Sequence, residues 1–209
     1  MTRRLERGGR LLLASHNRGK LAEIRALIEP YGLETVSAAE LGLPEPEESG
    51  STFLDNARIK ALAGGLGARL PTLADDSGLE VAALGGAPGV HSARWAGPGR
   101  DFRTAMARLA RELDERAAWK KQGPRANFTA VLCLAWPDGE CAAFAGKVAG
   151  HLVSPPRGDK GFGYDPMFVA DGHTLTFGEM EEVAKHAISH RARAFEQFAR
   201  ACLPARPPR

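Results

Sequence analysis

The sequence predicts an α/β protein built on a mixed β-sheet with flanking helices. Strand-like and helix-like segments alternate along most of the 209 residues, and one hairpin interrupts the alternation near the middle. The chain has no internal repeat and no low-complexity linker, so we expect its segments to share one sheet or to pack closely. A chain of this length can bury a substantial core.

The first elements surround a short polar loop. Residues 10–14 are apolar and predict a strand, whereas apolar residues at helical spacing predict an amphipathic helix over residues 20–29. Pro30 and Gly32 are expected to end that helix. A short strand is predicted near residues 34–37.

A long loop precedes the second helix. The stretch AAELGLPEPEESGS, residues 38–51, is rich in proline and glycine and predicts a loop. Thr52 is a candidate N-cap, and Asp55 completes a capping box for a helix through about Leu66. The segment LPTLADDSGLEVAAL then predicts a strand that carries two adjacent acids and a turn glycine, and GGAPG predicts another loop.

The second half of the chain contains the clearest hairpin. Asp101 is expected to cap a helix that runs to about Ala118. The segment ANFTAVLCLAWPDGECAAFAGKVAG predicts two strands around a Pro-Asp-Gly turn. The remaining predicted elements are a glycine-rich loop at 157–166, a strand at 167–169, a short helix after a capping box of Thr176 and Glu179, and a helix at about 189–203.

The charge distribution argues against a nucleic-acid partner. The net charge is +3, but residues 1–10 and residues 200–209 each contribute +3, which leaves −3 for the body of the protein. A body of that sign lacks the basic face that sequence-independent nucleic-acid binding requires. We expect residues 1–9 and 204–209 to be flexible tails around a single domain of residues 10–203.

Hydropathy and cysteine usage predict a cytoplasmic protein. No apolar run approaches the roughly 18 residues that span a bilayer, and the apolar patch after the first arginines is too short for a signal-peptide core. Cys133, Cys141 and Cys202 form no C-x-x-C pair. That spacing argues against a disulfide framework and against a structural zinc site.

The loop after the first strand favours a phosphate ligand. It consists of Ser15, His16, Asn17, Arg18, Gly19 and Lys20. The amides at a helix N-terminus and a lysine both attract anions. The ordinary P-loop pattern is absent, because Ala14 stands at its first glycine and Leu21 stands where a magnesium-binding hydroxyl would follow the lysine.

Four acidic residues are candidate metal ligands. Glu47 and Glu48 lie in the proline-rich loop, and Asp75 and Asp76 lie at a strand end before Ser77, where open α/β sheets bind ligands. Side chains alternate along a strand, so we expect one of the two aspartates to enter the site. Mg²⁺ on a nucleotide takes one or two protein carboxylates. The alternative to a metal site is that the DDSG segment is only a turn that ends the strand, with a solvated acid.

Two later segments suggest contacts to a flat, polar ligand. In DKGFGYDP, glycines permit close backbone approach, Phe162 and Tyr164 are able to stack on a ring, and Asp165 is an acceptor; a core plug under a loop is the alternative. In AKHAISHRARAF, cations gather around a helix start; a solvated basic face is the alternative. Lys20, Lys60 and Lys185 would offset much of a triphosphate's charge if they converge.

The order of these motifs resembles the bacterial inosine triphosphate pyrophosphatases, also called dITP/XTP pyrophosphatases. The motifs are SHNRGK, EESGSTFLDNARIKA, ADDSGL, LGGAPGVHSARWAG, GFGYDP and AISHRARA, and they extend over about residues 10–200. The resemblance implies magnesium-dependent hydrolysis of XTP, ITP and dITP to the monophosphate and pyrophosphate. It also implies an elongated mixed sheet with two lobes around a central nucleotide-binding cleft, and a homodimer.

The resemblance also assigns roles to residues. The loop from Ser15 to Lys20 is similar to the family's triphosphate-binding loop, Glu47 and Asp76 match its metal positions, and Asp76 also matches its proton acceptor. The remaining substrate contacts that the resemblance implies are Ser77, Phe162, Gly163, Tyr164, Asp165, Lys185, His190 and Arg191.

The sequence departs from the family pattern at several positions. The usual loop begins T-G-N, whereas Ser15 and His16 stand here, and His16 replaces a glycine that permits unusual backbone angles. His91 stands where a tyrosine is common, His186 where a small residue is common, and Thr104 where an asparagine is frequent. These departures leave the acidic pair intact.

The expected reaction has two alternatives. One is a pyrophosphatase of related fold that acts on modified or pyrimidine nucleotides. The other is a non-catalytic nucleotide-binding protein, which would bind its ligand without turnover. For the expected reaction, an N–H of the Gly163 backbone or of Arg191 would donate a hydrogen bond to the 6-oxo group of ITP and XTP. In ATP the same N–H would face the 6-amino donor and would stay unpaired.

Overall fold

The computed structural model describes residues 3–205. Its strands are β1 (Arg10–Leu13), β2 (Glu34–Ser37), β3 (Thr72–Val81), β4 (Arg125–Ala135), β5 (Cys141–Leu152) and β6 (Phe168–Ala170). Its helices are α1 (Arg18–Ile28), α2 (Phe53–Ala68), α3 (Phe102–Glu115), α4 (Glu182–Ile188) and α5 (His190–Cys202). Within the described residues, no helix is long and apolar enough to cross a membrane.

The strands form one mixed sheet in the order β2-β1-β3-β4-β5-β6. β1 pairs in parallel with both β2 and β3, in a register that puts Leu11 opposite Thr35 and Leu12 opposite Thr72. β5 and β6 are antiparallel, with His151 opposite Val169. The predicted α/β fold with a mixed sheet and flanking helices is therefore confirmed.

The chain divides into two compact units, each with its own apolar core. The first unit comprises Met1–Asp76, Ala130–Gly146 and Arg191–Arg209, and the second comprises Ser77–Thr129 and Lys147–His190. The core of the first unit includes Leu11, Leu13, Ile24, Leu132, Phe195 and Phe198. The core of the second unit includes Leu79, Leu109, Leu113, Phe128, Phe168 and Phe177.

Local capping interactions begin the helices where the sequence indicates. The Thr52 side chain accepts a hydrogen bond from the Asp55 amide, and the Asp55 carboxylate accepts one from the Thr52 amide, so the predicted capping box of α2 is present. Asp101 caps α3 by accepting from the Arg103 amide at 3.0 Å. The capping box thus satisfies two backbone amides at the start of α2, and Asp101 satisfies one at the start of α3.

Helix α3 ends three residues before the predicted end at Ala118. Ala117 adopts a left-handed backbone conformation with φ 47°. The Ala118 amide donates to the Leu113 carbonyl at 2.9 Å, and the Ala117 amide donates to the Asp114 carbonyl at 2.9 Å. This is the bonding pattern of a Schellman cap, in which glycine is the usual left-handed residue. Alanine at this position gave no stop signal in the sequence.

The predicted short helix forms, but it does not begin at the capping box of Thr176. Thr176 and Glu179 do make both hydrogen bonds of a capping box, at 2.8 and 3.1 Å. However, the Gly178 amide donates to the Asp165 carbonyl, and the Gly178 carbonyl accepts from the Lys160 amide. Because these backbone groups bond to the preceding loop, they are not available to a helix, and α4 begins only at Glu182.

Leu5 and Arg7 make packed, hydrogen-bonded contacts, which corrects the prediction of a flexible tail for residues 3–9 of the predicted range 1–9. Leu5 is 6% exposed and belongs to the core of the first unit. Its amide donates to the Cys202 carbonyl at 2.7 Å, and the Arg7 guanidinium donates to the Ala205 carbonyl at 2.8 Å. Residues 1–2 and 206–209, which the prediction also included, lie outside the described residues.

This packing makes Leu5 a measurable part of the core. We expect Leu5→Ala to lower the free energy of unfolding by about 2–4 kcal/mol, because it removes buried methyl groups and leaves a cavity. Leu66→Ala is the matched control, since Leu66 is 69% exposed on α2 and its truncation should change the free energy by less than about 0.5 kcal/mol. Urea unfolding of the full chain measures both, and equal effects would contradict the packed N-terminal segment.

Candidate active site

The phosphate loop, residues 15–20, leads from β1 into the N-terminus of α1. Asn17 is the N-cap of α1, and its side-chain oxygen accepts a hydrogen bond from the Lys20 amide at 3.2 Å. The Asn17 amide in turn donates to the Ser15 hydroxyl at 3.1 Å. No acidic side chain lies in the first turn of α1, so the positive end of the helix dipole is not neutralised from within the helix. The loop has the form of an anion site.

His16 occupies the position where the related loops have glycine. Among the described residues, the non-glycine positions with positive φ are Arg69, Arg100 and Ala117, so His16 keeps an ordinary backbone conformation. The loop therefore reaches its geometry without the freedom of glycine. The imidazole contacts the proline-rich loop, with Nε2 3.3 Å from the Leu43 carbonyl oxygen.

Asp75 lies in a buried cluster of charges within the first unit. Its carboxylate accepts two hydrogen bonds from the Arg191 guanidinium, at 3.0 and 3.3 Å, and lies 2.7 Å from the Lys20 ammonium. Glu23 of α1 pairs with the same guanidinium. Arg191, Asp75 and Glu23 are all buried. The cluster balances two acids against two bases, as a buried charge requires.

Asp76 faces a different set of partners. One of its carboxylate oxygens accepts a hydrogen bond from Lys60 of α2 at 2.9 Å, and the same ammonium donates to Glu48 at 2.5 Å. The other oxygen, Oδ2, is buried and has no hydrogen-bond partner among the described residues. The two adjacent aspartates thus serve separate environments, as the alternation of side chains along β3 predicts.

The pKa values of the two aspartates move in opposite directions. Burial alone would raise the pKa of Asp75, but Arg191 and Lys20 outweigh it and hold the pKa of that carboxyl well below its usual range. Burial raises the pKa of Asp76, and the nearby Lys60 and Lys20 only partly oppose that effect. Asp75 is therefore a permanent anion, whereas Asp76 is the better proton acceptor of the pair.

Lys60 and Glu48 are candidate residues whose shared contact beside Asp76 the sequence did not predict. Burial lowers the pKa of Lys60, but Asp76 and Glu48 raise it by more, so this ammonium stays charged. Glu47, which was the predicted metal ligand of this loop, is exposed, and in the described part of the chain its carboxylate makes no ion pair. In this structure Glu48 is the acid of the loop that shares a partner with Asp76.

The sequence analysis did not identify Asn56 as a candidate site residue. It is fully buried one helical turn before Lys60, and its side-chain oxygen accepts a hydrogen bond from the Gly50 amide at 2.8 Å. A Cβ atom on Gly50 would lie 2.4 Å from the Asp55 Cβ and 2.7 Å from the Asn56 Oδ1. A signal was present, because a polar residue four positions before a lysine lies on the same helix face.

In the second unit, Asp165 organises the segment that was predicted to contact a flat ring. Its Oδ2 accepts hydrogen bonds from the Phe162 amide at 2.8 Å and from the Lys185 ammonium at 2.6 Å. The Lys185 ammonium also lies 4.8 Å from the centre of the Phe162 ring, within cation–π range. Gly161 and Gly163 both have φ 72°, so the turn between them needs glycine.

The structure contradicts the stacking role predicted for the Tyr164 side chain. Tyr164 is 2% exposed in the core of the second unit, where its hydroxyl donates to the Ser92 carbonyl at 3.0 Å. Its ring meets the edge of Phe102. The Tyr164 ring is therefore a core residue, and Phe162, which is half-buried, is the aromatic residue that remains for a ligand.

The other predicted contacts occupy half-buried and buried positions. Ser77 is half-buried at the point where β3 enters the second unit, and Gly78 beside it leaves no space for a Cβ against the Gly89 carbonyl and Ser92. The His190 ring is buried and stacks on Phe128 at 4.9 Å. Arg191 is committed to Asp75 and Glu23. Its assignment as a substrate contact stays a prediction.

The comparisons with known proteins decide the family. A family model described as Ham1 family matches residues 11–201. The chain belongs to the Ham1 family. A family relative named dITP/XTP pyrophosphatase from Zymomonas mobilis is 58% identical over 201 residues, covering 96% of this chain and 95% of the relative. Another of that name, from Bradyrhizobium diazoefficiens, is 54% identical over 205 residues, covering 95% and 97%.

Solved structures of Ham1 proteins have the same fold. A HAM1 protein from Coxiella burnetii is 37% identical with a TM-score of 0.82, covering 91% of this chain and 96% of that one. A structure named nucleoside-triphosphatase, dITP/XTP pyrophosphatase, from Mycobacterium abscessus is 40% identical with a TM-score of 0.69, covering 90% and 98%. The resemblance inferred from the motifs is therefore confirmed at the level of the family.

The buried charge cluster yields a stability prediction. We expect Asp75→Asn to lower the free energy of unfolding by about 3–5 kcal/mol, because it leaves Arg191 and Lys20 without half of their counter-charge in a buried site. Asp171→Asn is the matched control, since Asp171 also makes two hydrogen bonds to one arginine, Arg125, but at 52% exposure. The control should change the free energy by at most about 1 kcal/mol. Urea unfolding compares them, and a larger loss in the control would contradict the ranking.

Proposed function

We propose that this chain hydrolyses the non-canonical purine nucleoside triphosphates XTP, ITP and dITP to the nucleoside monophosphate and pyrophosphate. The close relatives that carry the name dITP/XTP pyrophosphatase support a hydrolase that acts on nucleoside triphosphates. The observation in the molecule that supports it best is Asp76, a buried carboxylate beside Lys60 and Glu48 with one oxygen unpartnered among the described residues. This hydrolysis would remove the non-canonical triphosphates from the nucleotide pool.

The donor set fits the Mg²⁺ ion that the family resemblance implies. Within the described residues there is no group of three or more acids, histidines or cysteines able to hold a metal by itself. A nucleotide-bound Mg²⁺ needs only one or two protein carboxylates, because phosphate oxygens and waters supply the other ligands. Asp76 through Oδ2, with Glu47 or Glu48, would hold the ion. When bound with the nucleotide, it would neutralise charge on the phosphate oxygens as a Lewis acid.

Residues of the first unit are suited to bind the triphosphate. The amides at the start of α1 and the Lys20 ammonium offer positive groups, and Asp75 fixes the lysine at 2.7 Å. Lys20 is partly exposed, at 14%, so it is able to contact a ligand while it stays paired. We assign a catalytic role to Lys20: it stabilises the negative charge that develops on the leaving pyrophosphate.

Asp76 is our candidate for the general base. In the proposed step a water oxygen attacks the α-phosphorus while the Asp76 carboxylate accepts the proton from that water. The bond between the α-phosphorus and the bridging oxygen breaks, and its electron pair leaves with pyrophosphate. The raised pKa of Asp76 favours acceptance of this proton over acceptance by Asp75, whose ion pairs hold its pKa low.

Residues of the second unit are suited to select the base. Phe162 offers a half-buried ring for stacking, and the Asp165–Lys185 pair fixes the turn that carries the Gly163 amide. A backbone N–H there would donate a hydrogen bond to the 6-oxo group of ITP or XTP, whereas it would face another donor in the 6-amino group of ATP. Since the Arg191 guanidinium is bound to Asp75 and Glu23, we favour the backbone over Arg191 for this contact.

The first test measures pyrophosphate release from ITP, XTP, ATP and GTP, with Mg²⁺ and with EDTA. We expect rapid release from ITP and XTP only, loss of release in EDTA, and at least about a 100-fold lower rate for Asp76→Asn because the general base is removed. Asp171→Asn tests for non-specific effects of an Asp→Asn change at an exposed position. Turnover of pyrimidine triphosphates instead would favour the related-fold alternative, and nucleotide binding without release would favour a binding protein.

The second test concerns the Phe162 ring. We expect Phe162→Ala to raise KM for ITP by about 5- to 100-fold, because a stacking platform for a base is lost. The turnover number should change by less than about threefold, since the ring does not contact the reacting phosphorus in the proposed mechanism. Phe162→Tyr preserves an aromatic face and should recover most of the affinity. An unchanged KM in the alanine variant would exclude stacking.

Two further features stay predictions. The family resemblance implies the homodimer, and the hydropathy of the sequence predicts the cytoplasmic location. Sedimentation of the purified chain at several concentrations measures the first, and fractionation of the source cells measures the second.

A further inference from the structure

The loop that carries Glu47 and Glu48 is held mainly by side chains from elsewhere. We call residues 43–50 the acid loop, and no regular secondary structure is present in it. Pro44 and Pro46 have no amide hydrogen, so they cannot form backbone hydrogen bonds as donors. Within the loop, the Ser49 amide donates to the Glu47 carbonyl. The Leu43 amide donates to the Ala38 carbonyl, which lies before the loop. The position of its two acids therefore depends on contacts with other segments.

Helix α2 holds the second half of the acid loop. Lys60 donates to the Glu48 carboxylate at 2.5 Å, and Asn56 accepts from the Gly50 amide at 2.8 Å. Asn56 and Lys60 are four residues apart, so they project from one face of α2. Both side chains are buried, which keeps these two contacts away from competing water.

His16 of the phosphate loop holds the first half. Its Nε2 lies 3.3 Å from the Leu43 carbonyl oxygen, which can only accept, so Nε2 is the donor. Its Nδ1 lies 3.9 Å from a carboxylate oxygen of Glu45. The imidazole also lines a cavity of about 160 Å³ together with Pro44, Pro46 and Lys60. The ring is 26% exposed, so it lies between the two loops rather than in open solvent.

We propose that His16 is a positioning residue that couples the phosphate loop to the acid loop. It acts through the Leu43 carbonyl and so limits the positions available to Glu47 and Glu48, four and five residues later in the chain. This inference rests on the proposed function, because those acids and the phosphate loop are taken to bind one metal–nucleotide complex. It gives His16 a role other than direct contact with phosphate, and it explains why the loop has a donor side chain where glycine would suffice for the backbone.

Hydrogen exchange on the full chain tests the coupling without any activity. His16→Gln places an amide nitrogen near the position of Nε2 and retains a donor for Leu43, whereas the shorter His16→Asn does not reach it. We expect the hydrogen-bonded amides of Leu43, Ser49 and Gly50 to exchange about three- to tenfold faster in His16→Asn than in the wild type, and His16→Gln to restore most of the protection. His173→Ala, at an exposed histidine, is the control and should leave these amides unchanged.

Metal activation gives a second readout. We expect His16→Asn to raise the Mg²⁺ concentration for half-maximal ITP hydrolysis by about three- to tenfold, with recovery in His16→Gln. Equal exchange rates in the wild type and both His16 variants would overturn the proposal, and so would equal defects in the two variants. If the wild type releases no pyrophosphate from any nucleotide, the proposed function fails, while hydrogen exchange still decides whether His16 holds the acid loop.

Discussion

The charge cluster around Asp75 is the constraint on which the first unit depends. Arg191 at the start of α5 is 116 residues from Asp75 on β3 and 168 residues from Glu23 on α1, yet all three are buried in mutual contact. Arginine cannot lose its charge in a protein, so the guanidinium requires both acids in place. A buried ion pair is weak evidence for stability by itself, but it permits one arrangement of the three elements. The same cluster fixes Lys20 beside the phosphate loop.

This arrangement places the adjacent residues Asp75 and Asp76 in different electrostatic environments. Asp75 has two cationic partners and stays ionised, so it serves as a fixed counter-charge. Asp76 points the other way, toward Lys60 and Glu48, and retains an oxygen without a partner in the described part of the chain. A raised pKa suits the proton acceptor that we propose, and an oxygen without a protein partner suits the proposed metal ligand. In the proposed mechanism, one strand thus supplies a structural acid and a reactive acid at consecutive positions.

The local signals in the sequence accounted for most of the elements. The apolar strand β1, the capping box of α2 and the hairpin of β4 and β5 follow from short-range patterns, and the structure has all of them. The family motifs also led to the correct family. Errors arose where backbone hydrogen bonds came from distant residues, as at Gly178, or where alanine took the left-handed place of glycine, as at Ala117.

The sequence by itself determined the fold class, the family and the residue types able to hold phosphate and metal, because these depend on local periodicity and on motif spacing. Only the tertiary structure decided which side chains meet. It buried Tyr164 in a core, paired Arg191 with Glu23, and brought Glu48 rather than Glu47 to the lysine that binds Asp76. Neither alternation nor spacing specifies such contacts, since they depend on which faces of distant helices and strands become buried together.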